Sequence, residues 1–262
     1  MKSAQSADSS ADILIEACVD TVHSALAAEA GGADRIELCD NLVEGGTTPS
    51  AGMIEECVAR LGIPVFVIIR PRGGDFLYTS SEITVMLRDI AHARRLGVKG
   101  IVAGALERDA SVSGNVMSEL LIAASPLPVT FHRAFDACRD PKQALETLVE
   151  LGVSRILTAG QAATALEGAT AIAASVEQAA GRIGIIAGGG INEENVAEVV
   201  RISGVSEVHI RGTVPVGSGM DWRRDGLSLT KPVLEHDVRA VTDAERVRKV
   251  RRGTWGVGHG EA

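Results

Sequence analysis

Gly31-Gly32-Ala33-Asp34-Arg35-Ile36-Glu37-Leu38-Cys39 joins two kinds of local order. Glycines of the sort that close a helix in the left-handed conformation are followed at once by a short run suited to a buried strand. The same punctuation returns in Leu61-Gly62-Ile63-Pro64, Leu96-Gly97-Val98-Lys99, Leu151-Gly152-Val153-Ser154 and Ser203-Gly204-Val205-Ser206. Working outward from these joints, apolar runs of strand length fall at 13–18, 35–39, 64–70, 100–103, 128–132, 155–158, 183–187 and 205–210. Segments with helical periodicity separate them, at 22–30, 53–60, 83–96, 117–124, 141–151, 162–180 and 193–202, with a last one at 243–251. Strand and helix alternate throughout without a Pro/Ser-rich linker, which predicts one α/β domain over 12–262, a (β/α)8 TIM barrel. The eighth unit is irregular, because 212–238 is a long stretch of poor periodicity. Residues 1–11, rich in Ser, Ala and Asp, read as a disordered N-terminal tail.

Composition narrows the function. The 262 residues carry 26 Lys+Arg against 34 Asp+Glu, a net charge of −8, so there is no broad basic surface for a nucleic-acid backbone or an anionic membrane. The cations at Arg246, Arg248, Lys249, Arg251 and Arg252 suit the C-terminal end of a solvated helix. No run approaches the length of a membrane helix, and the start lacks the apolar core of a signal peptide. Cys18, Cys39, Cys57 and Cys138 stand without a C-x-x-C pair in a chain long enough to need no disulfide. These features predict a cytoplasmic protein.

Polar residues inside the strands carry the chemistry. Side chains alternate along a strand, so Glu16 and Cys18 share a face, as do Glu37 and Cys39, Arg70 and Arg72, and His209 and Arg211. With His132 and Thr158 at the ends of the fifth and sixth strands, they form a candidate ring at the end of the barrel where such folds carry their sites. Glu16, Glu37, Arg70, His132 and His209 are its candidate catalytic groups. Buried carboxylates require a cation, a histidine, a metal or a ligand, so Glu16 and Glu37 are expected to meet Arg70, a histidine or such a partner. An internal ion network that merely plugs the barrel mouth fits the same residues.

Loops of matching character follow the strands. Arg70-Pro71-Arg72-Gly73-Gly74-Asp75-Phe76 offers two guanidinium groups, with Arg72 and Asp75 as ligand contacts. Phe131-His132-Arg133-Ala134-Phe135-Asp136 adds Arg133 and Asp136 beside His132, and Thr158 completes that side. Gly188-Gly189-Gly190-Ile191-Asn192 reads as an anion-binding turn, with Gly188 and Gly189 offering backbone N–H groups and Asn192 capping the next helix. A plain tight turn fits it equally. Cys18 and Cys39 end neighbouring strands, where two thiolates can share one soft cation such as Cu(I) or lie as small buried hydrophobes. No Lys ends a strand, which argues against Schiff-base chemistry, and Gly217-Ser218-Gly219 lacks the setting of a nucleophile elbow.

Ile15-Glu16-Ala17-Cys18, Gly32 to Cys39, Glu44-Gly45-Gly46-Thr47-Thr48-Pro49-Ser50, Ile69 to Phe76 and Val129 to Asp136 together resemble the signature segments of the CutC copper-homeostasis family. The resemblance runs from about Ile13 to Asp221. It implies a (β/α)8 barrel, a cytoplasmic homo-oligomer associated with copper tolerance, and Cu(I) held by Cys18 and Cys39. At His209-Ile210-Arg211-Gly212 the chain departs from relatives that carry small residues after the His. Copper handling alone leaves Glu16, Glu37, Arg70, His132 and His209 without a role. The residues therefore support a second expectation, a lyase or isomerase acting on a small anionic or carbonyl metabolite. In it Arg70 and Arg72 hold the anion and His132 or Glu37 moves a proton.

Overall fold

The computed structural model describes residues 13–222 and 238–254; the expected tail lies outside them. Eight parallel strands close into a barrel in chain order: β1 (Leu14–Val19), β2 (Arg35–Leu38), β3 (Val65–Ile68), β4 (Gly100–Ala103), β5 (Val129–Phe131), β6 (Arg155–Thr158), β7 (Gly184–Gly188) and β8 (Glu207–Ile210). The closing pair is β1 with β8, where Glu16 stands opposite His209, while on its other side Glu16 stands opposite Arg35. Seven helices alternate with the strands: α1 (Val22–Ala30), α2 (Ala51–Arg60), α3 (Ser80–Arg95), α4 (Gly114–Ala124), α5 (Pro141–Glu150), α6 (Ala169–Ala179) and α7 (Val196–Ser203). An eighth, α8 (Ala244–Thr254), completes the outer ring. None of the described helices is long and apolar enough to cross a membrane.

Local signals account for these boundaries. Thr21 caps α1 by accepting from Ser24 N, and Ser50 caps α2 by accepting from Met53 N. Thr79 and Glu82 form a reciprocal capping box on α3, and Pro141 opens α5. Alternation along the strands then sorts the side chains. Ile15, Ala17, Ile36, Leu38, Val65, Val67 and Ile69 join the apolar layer under the helices, whereas Cys18, Cys39, Phe66, Ile68 and Val102 form a smaller apolar cluster of their own. Burying a Leu or Ile contributes about 1.5–3 kcal/mol, so the outer layer dominates stability and the lumen is released for polar groups.

Three expectations need correction. The irregular eighth unit contains a β-ribbon, β9 (Thr213–Gly217) paired antiparallel with β10 (Val238–Thr242), whose Thr242 N donates to Ser24 Oγ on α1. α6 starts at Ala169, later than the Ala-rich run from 162 suggests, because Thr164 and Glu167 hydrogen-bond each other in a turn before it. Asn192 does not cap α7: the cap position belongs to Asn195, and Asn192 Oδ1 instead accepts from Glu194 N in a preceding turn.

Candidate functional site

At the base of the lumen lies a charged layer that alternation explains in retrospect. Arg35 donates from Nε to Glu16 Oε2 at 2.5 Å and from Nη2 to Glu207 Oε2 at 2.5 Å, and Arg155 adds Nε at 3.5 Å from Glu207. Both guanidinium groups lie over the Phe66 ring, 5.3 and 5.0 Å from its centroid. Of the partners expected for Glu16, the histidine is found in His209, while its guanidinium partner is Arg35 and not Arg70.

Above this layer, His209 links the two carboxylates: its Nδ1 is 2.8 Å from Glu16 Oε1 and its Nε2 is 3.5 Å from Glu37 Oε2. Burial would push Glu16 up, but the His209 hydrogen bond and the Arg35 charge outweigh it and hold the carboxyl down to about 2. For His209 burial acts downward, yet hydrogen bonds to Cys18 and Glu16 keep the imidazole charged well above its ordinary range. Glu37 is pushed the other way, upward, by burial and then by the neighbouring Cys18 charge.

The two thiols complete this wall. Cys18 Sγ and Cys39 Sγ lie 3.7 Å apart, and both residues are free and buried. The hydrogen bond from Cys39 draws the Cys18 thiol down to about 5 against its burial, with His209 assisting. The same hydrogen bond, burial and the charge on Cys18 push Cys39 up. The opposite shifts draw Cys18 toward the thiolate and leave Cys39 as its donor. Cys18, Glu37 and Cys39 can each present a ligand atom, all within 4.8 Å of one another, and Glu16, Glu37 and His209 form a second such group. Gly46, at φ +91°, roofs the thiols: a Cβ there would stand 3.3 Å from Cys39 Sγ.

Across the lumen stands a cavity of about 230 Å³, lined by Cys18, Glu37, Cys39, Arg70, Phe76 and His132 among others. Arg70 is buried, and its Nη atoms donate to the carbonyls of Glu44, Gly46 and Gly74 at 2.7, 2.8 and 2.8 Å. His132 caps the short 3-10 turn Arg133–Ala137, its Nδ1 accepting from Ala134 N at 3.2 Å. That assignment leaves the ring proton on Nε2. Burial and then the Arg70 charge pull the imidazole down to about 3, so it is neutral. Gly104 makes room for it, since a Cβ there would lie 2.7 Å from the ring.

The remaining candidates divide. Arg133 lines this cavity and an adjoining one of about 290 Å³ with Gly189, Gly190 and Arg211. It is held by Asp136, which also accepts from Thr158 Oγ1 and from the backbone of Ala159 and Gln161. Thr158 itself is fully buried behind the wall while its neighbour Leu157 lines the cavity, so it positions Asp136 instead of joining the ring. Gly188 is likewise enclosed, against Leu157 and His209. Arg72 and Asp75 pair with each other, and Arg72 also binds Glu82 at the start of α3; neither lines the two cavities just described. Arg35, Arg155, Glu207, Phe76 and Gly104 were not singled out from sequence, although Arg35 and Glu207 share strand faces with Glu37 and His209 and could have been found by extending the period of two.

The CutC family model matches residues 13–214. A human copper homeostasis protein cutC homolog is 47% identical over 90% of this chain and 86% of its own length. A CutC family protein of Bacteroides thetaiotaomicron is 47% identical over 88% of this chain and 94% of its own. The crystal structure of a CutC protein from Streptococcus agalactiae superposes with a TM-score of 0.73 at 38% identity, covering 76% of this chain and 98% of that one. Phosphoribosylanthranilate isomerase from Pyrococcus furiosus, at 15% identity and a TM-score of 0.54, shares the fold alone. With a family model covering most of the barrel and relatives this similar along nearly their whole length, the chain belongs to the CutC family.

Proposed function

We propose that this chain serves copper homeostasis in the cytoplasm by binding Cu(I) through Cys18 and Cys39. The observation that carries the reading is the buried sulfur pair at 3.7 Å, with Cys18 already drawn toward the thiolate. Thiolates are the soft ligands that Cu(I) selects, and burial protects the ion from oxidation and exchange. Glu37 stands by as a third, harder donor. His209 and Arg35 supply positive charge that keeps an anionic sulfur tolerable inside the barrel. The human and mouse relatives are named copper homeostasis proteins, which supports the same role.

Titration of the reduced chain with Cu(I) against a chromogenic chelator tests it. The expected result is one tight site per chain, lost in Cys18→Ser and in Cys39→Ser and kept in Cys57→Ser. Unchanged affinity in the first two variants removes the proposal.

A further inference from the structure

Arg70 is a buried cation with an unfinished environment. It is 5% exposed, its Nη atoms reach only neutral carbonyls, and its Nε has no acceptor. Among the described residues it forms no ion pair, whereas Arg35 is matched by two carboxylates. An isolated guanidinium in such a place carries a desolvation cost that a counter-ion relieves. A second orphan donor stands near it. His132 is 4% exposed, and its Nε2, which bears the ring proton because Nδ1 accepts from Ala134 N, also has no partner. Phe76 joins them: the Arg70 guanidinium carbon lies 5.2 Å from its ring centroid and the His132 ring 4.9 Å. All three side chains line the 230 Å³ cavity, with apolar walls from Ile68 and Leu157 and with Arg133 at its border.

We infer that this cavity is a binding site for a small carboxylate metabolite of about two to four carbons, whose oxygens take the hydrogen bonds of Arg70 Nε and His132 Nε2. The carboxylate supplies the charge Arg70 lacks. A neutral imidazole donates to its second oxygen, or to an adjacent carbonyl, without offering that proton to solvent. The apolar walls and the Phe76 ring favour a short planar acid with a small carbon skeleton over a fully polar tetrahedral anion. Arg72, engaged by Asp75 and Glu82, takes no part. Cys18, Glu37 and Cys39 line the same cavity, but the inference does not rest on the copper reading, since its two donors, Arg70 and His132, are in neither group of candidate metal ligands.

Calorimetric titration of the full, reduced, copper-free chain with pyruvate, glycolate and acetate, and separately with inorganic phosphate, tests it. Saturable binding of at least one carboxylate, one per chain, is expected. His132→Asn keeps an acceptor for Ala134 N but removes the Nε2 donor, and should weaken that binding about tenfold or more. Arg70→Lys should do the same, and Cys57→Ser, on α2 and outside the cavity lining, should leave it within about threefold. No saturable carboxylate binding, binding of phosphate alone, or undiminished binding by a folded His132→Asn chain overturns the inference. Should that variant fail to fold, the imidazole nitrogen resonances of His132 in the unaltered chain decide: they must shift on saturation, and static resonances overturn the proposal as surely. Loss of carboxylate binding in His132→Asn with Cu(I) binding intact would separate the two readings.

Discussion

Arg35 and Glu16 face each other across the β1–β2 pair and meet inside the barrel at 2.5 Å, both nearly inaccessible to water. Removing one partner of a buried pair strands the other charge, typically at about 3–5 kcal/mol. Arg35→Met should therefore destabilise the fold by about that amount in urea unfolding, because it leaves Glu16 to His209 alone and Glu207 to the more distant Arg155. The double variant Glu16→Gln/Arg35→Met should lose clearly less than the two single losses together, since it no longer leaves this charge unpaired. Additive losses would show that the pair contributes nothing to holding the lumen together.

That same pair marks how far the sequence could be read. Eight strands, their order and their closure were legible because most joints repeat a glycine followed at once by a short apolar run. The convergence of Glu16, Glu37, His209, Cys18 and Cys39 followed from the period of two. What escaped was the depth of each residue in the lumen. Arg35 begins its strand, outside the strand ends from which the ring was drawn, yet barrel stagger sets it beside Glu16 in the middle of β1. Thr158 ends its strand and looked inward, but alternation from Arg155 through Leu157 turns it outward, onto Asp136. Arg72 was misjudged for another reason. Beyond the last hydrogen bond of a strand the alternation lapses, and Glu82 on α3 captured the side chain.

Gly46 links loop geometry to the thiols. A side chain there would suffer a φ of +91° and press on Cys39 Sγ from 3.3 Å. Gly46→Ala should cost about 1–2 kcal/mol of stability. It should also weaken Cu(I) binding in chelator competition, because Cys39 must shift to accommodate the methyl group. Gly52→Ala, where a Cβ meets nothing, is the control and should leave copper affinity unchanged.

His132 ties the stability of the fold to mild acid. Its native value lies at about 3, below the ordinary 6.5, so between these limits the unfolded chain binds a proton that the native chain refuses. The stabilising contribution is complete above pH 6.5 and falls as pH drops toward 3, at up to about 1.4 kcal/mol per pH unit. Glu16 acts in a lower window: its carboxyl is held at about 2, so its contribution is present above 4.5 and is lost only as pH falls from there. Urea unfolding at pH 7, 6 and 5 should therefore show the unaltered chain losing stability relative to His132→Asn as pH falls, while Cys18, Glu37 and His209 act alike in both. An identical decline in that variant would mean that other groups carry the acid sensitivity.

The thiols titrate unequally, and light absorption by thiolates reports it directly. Cys18, drawn down to about 5 by the hydrogen bond from Cys39 and the charge of His209, should contribute one thiolate to the native ultraviolet spectrum at pH 7. Cys39, Cys57 and Cys138 are all pushed above their ordinary value and should contribute none there. Acidification should remove that single band with a midpoint near 5, since a depressed thiol stays ionised until pH falls through its native value. In Cys39→Ala the donor to the thiolate is removed and the midpoint should rise; in His209→Gln, where the smaller contribution of the imidazolium is lost, it should rise less. A native spectrum with no thiolate band at pH 7 would mean that the sulfur pair is held as two neutral thiols, and that Cu(I) must then displace two protons instead of one.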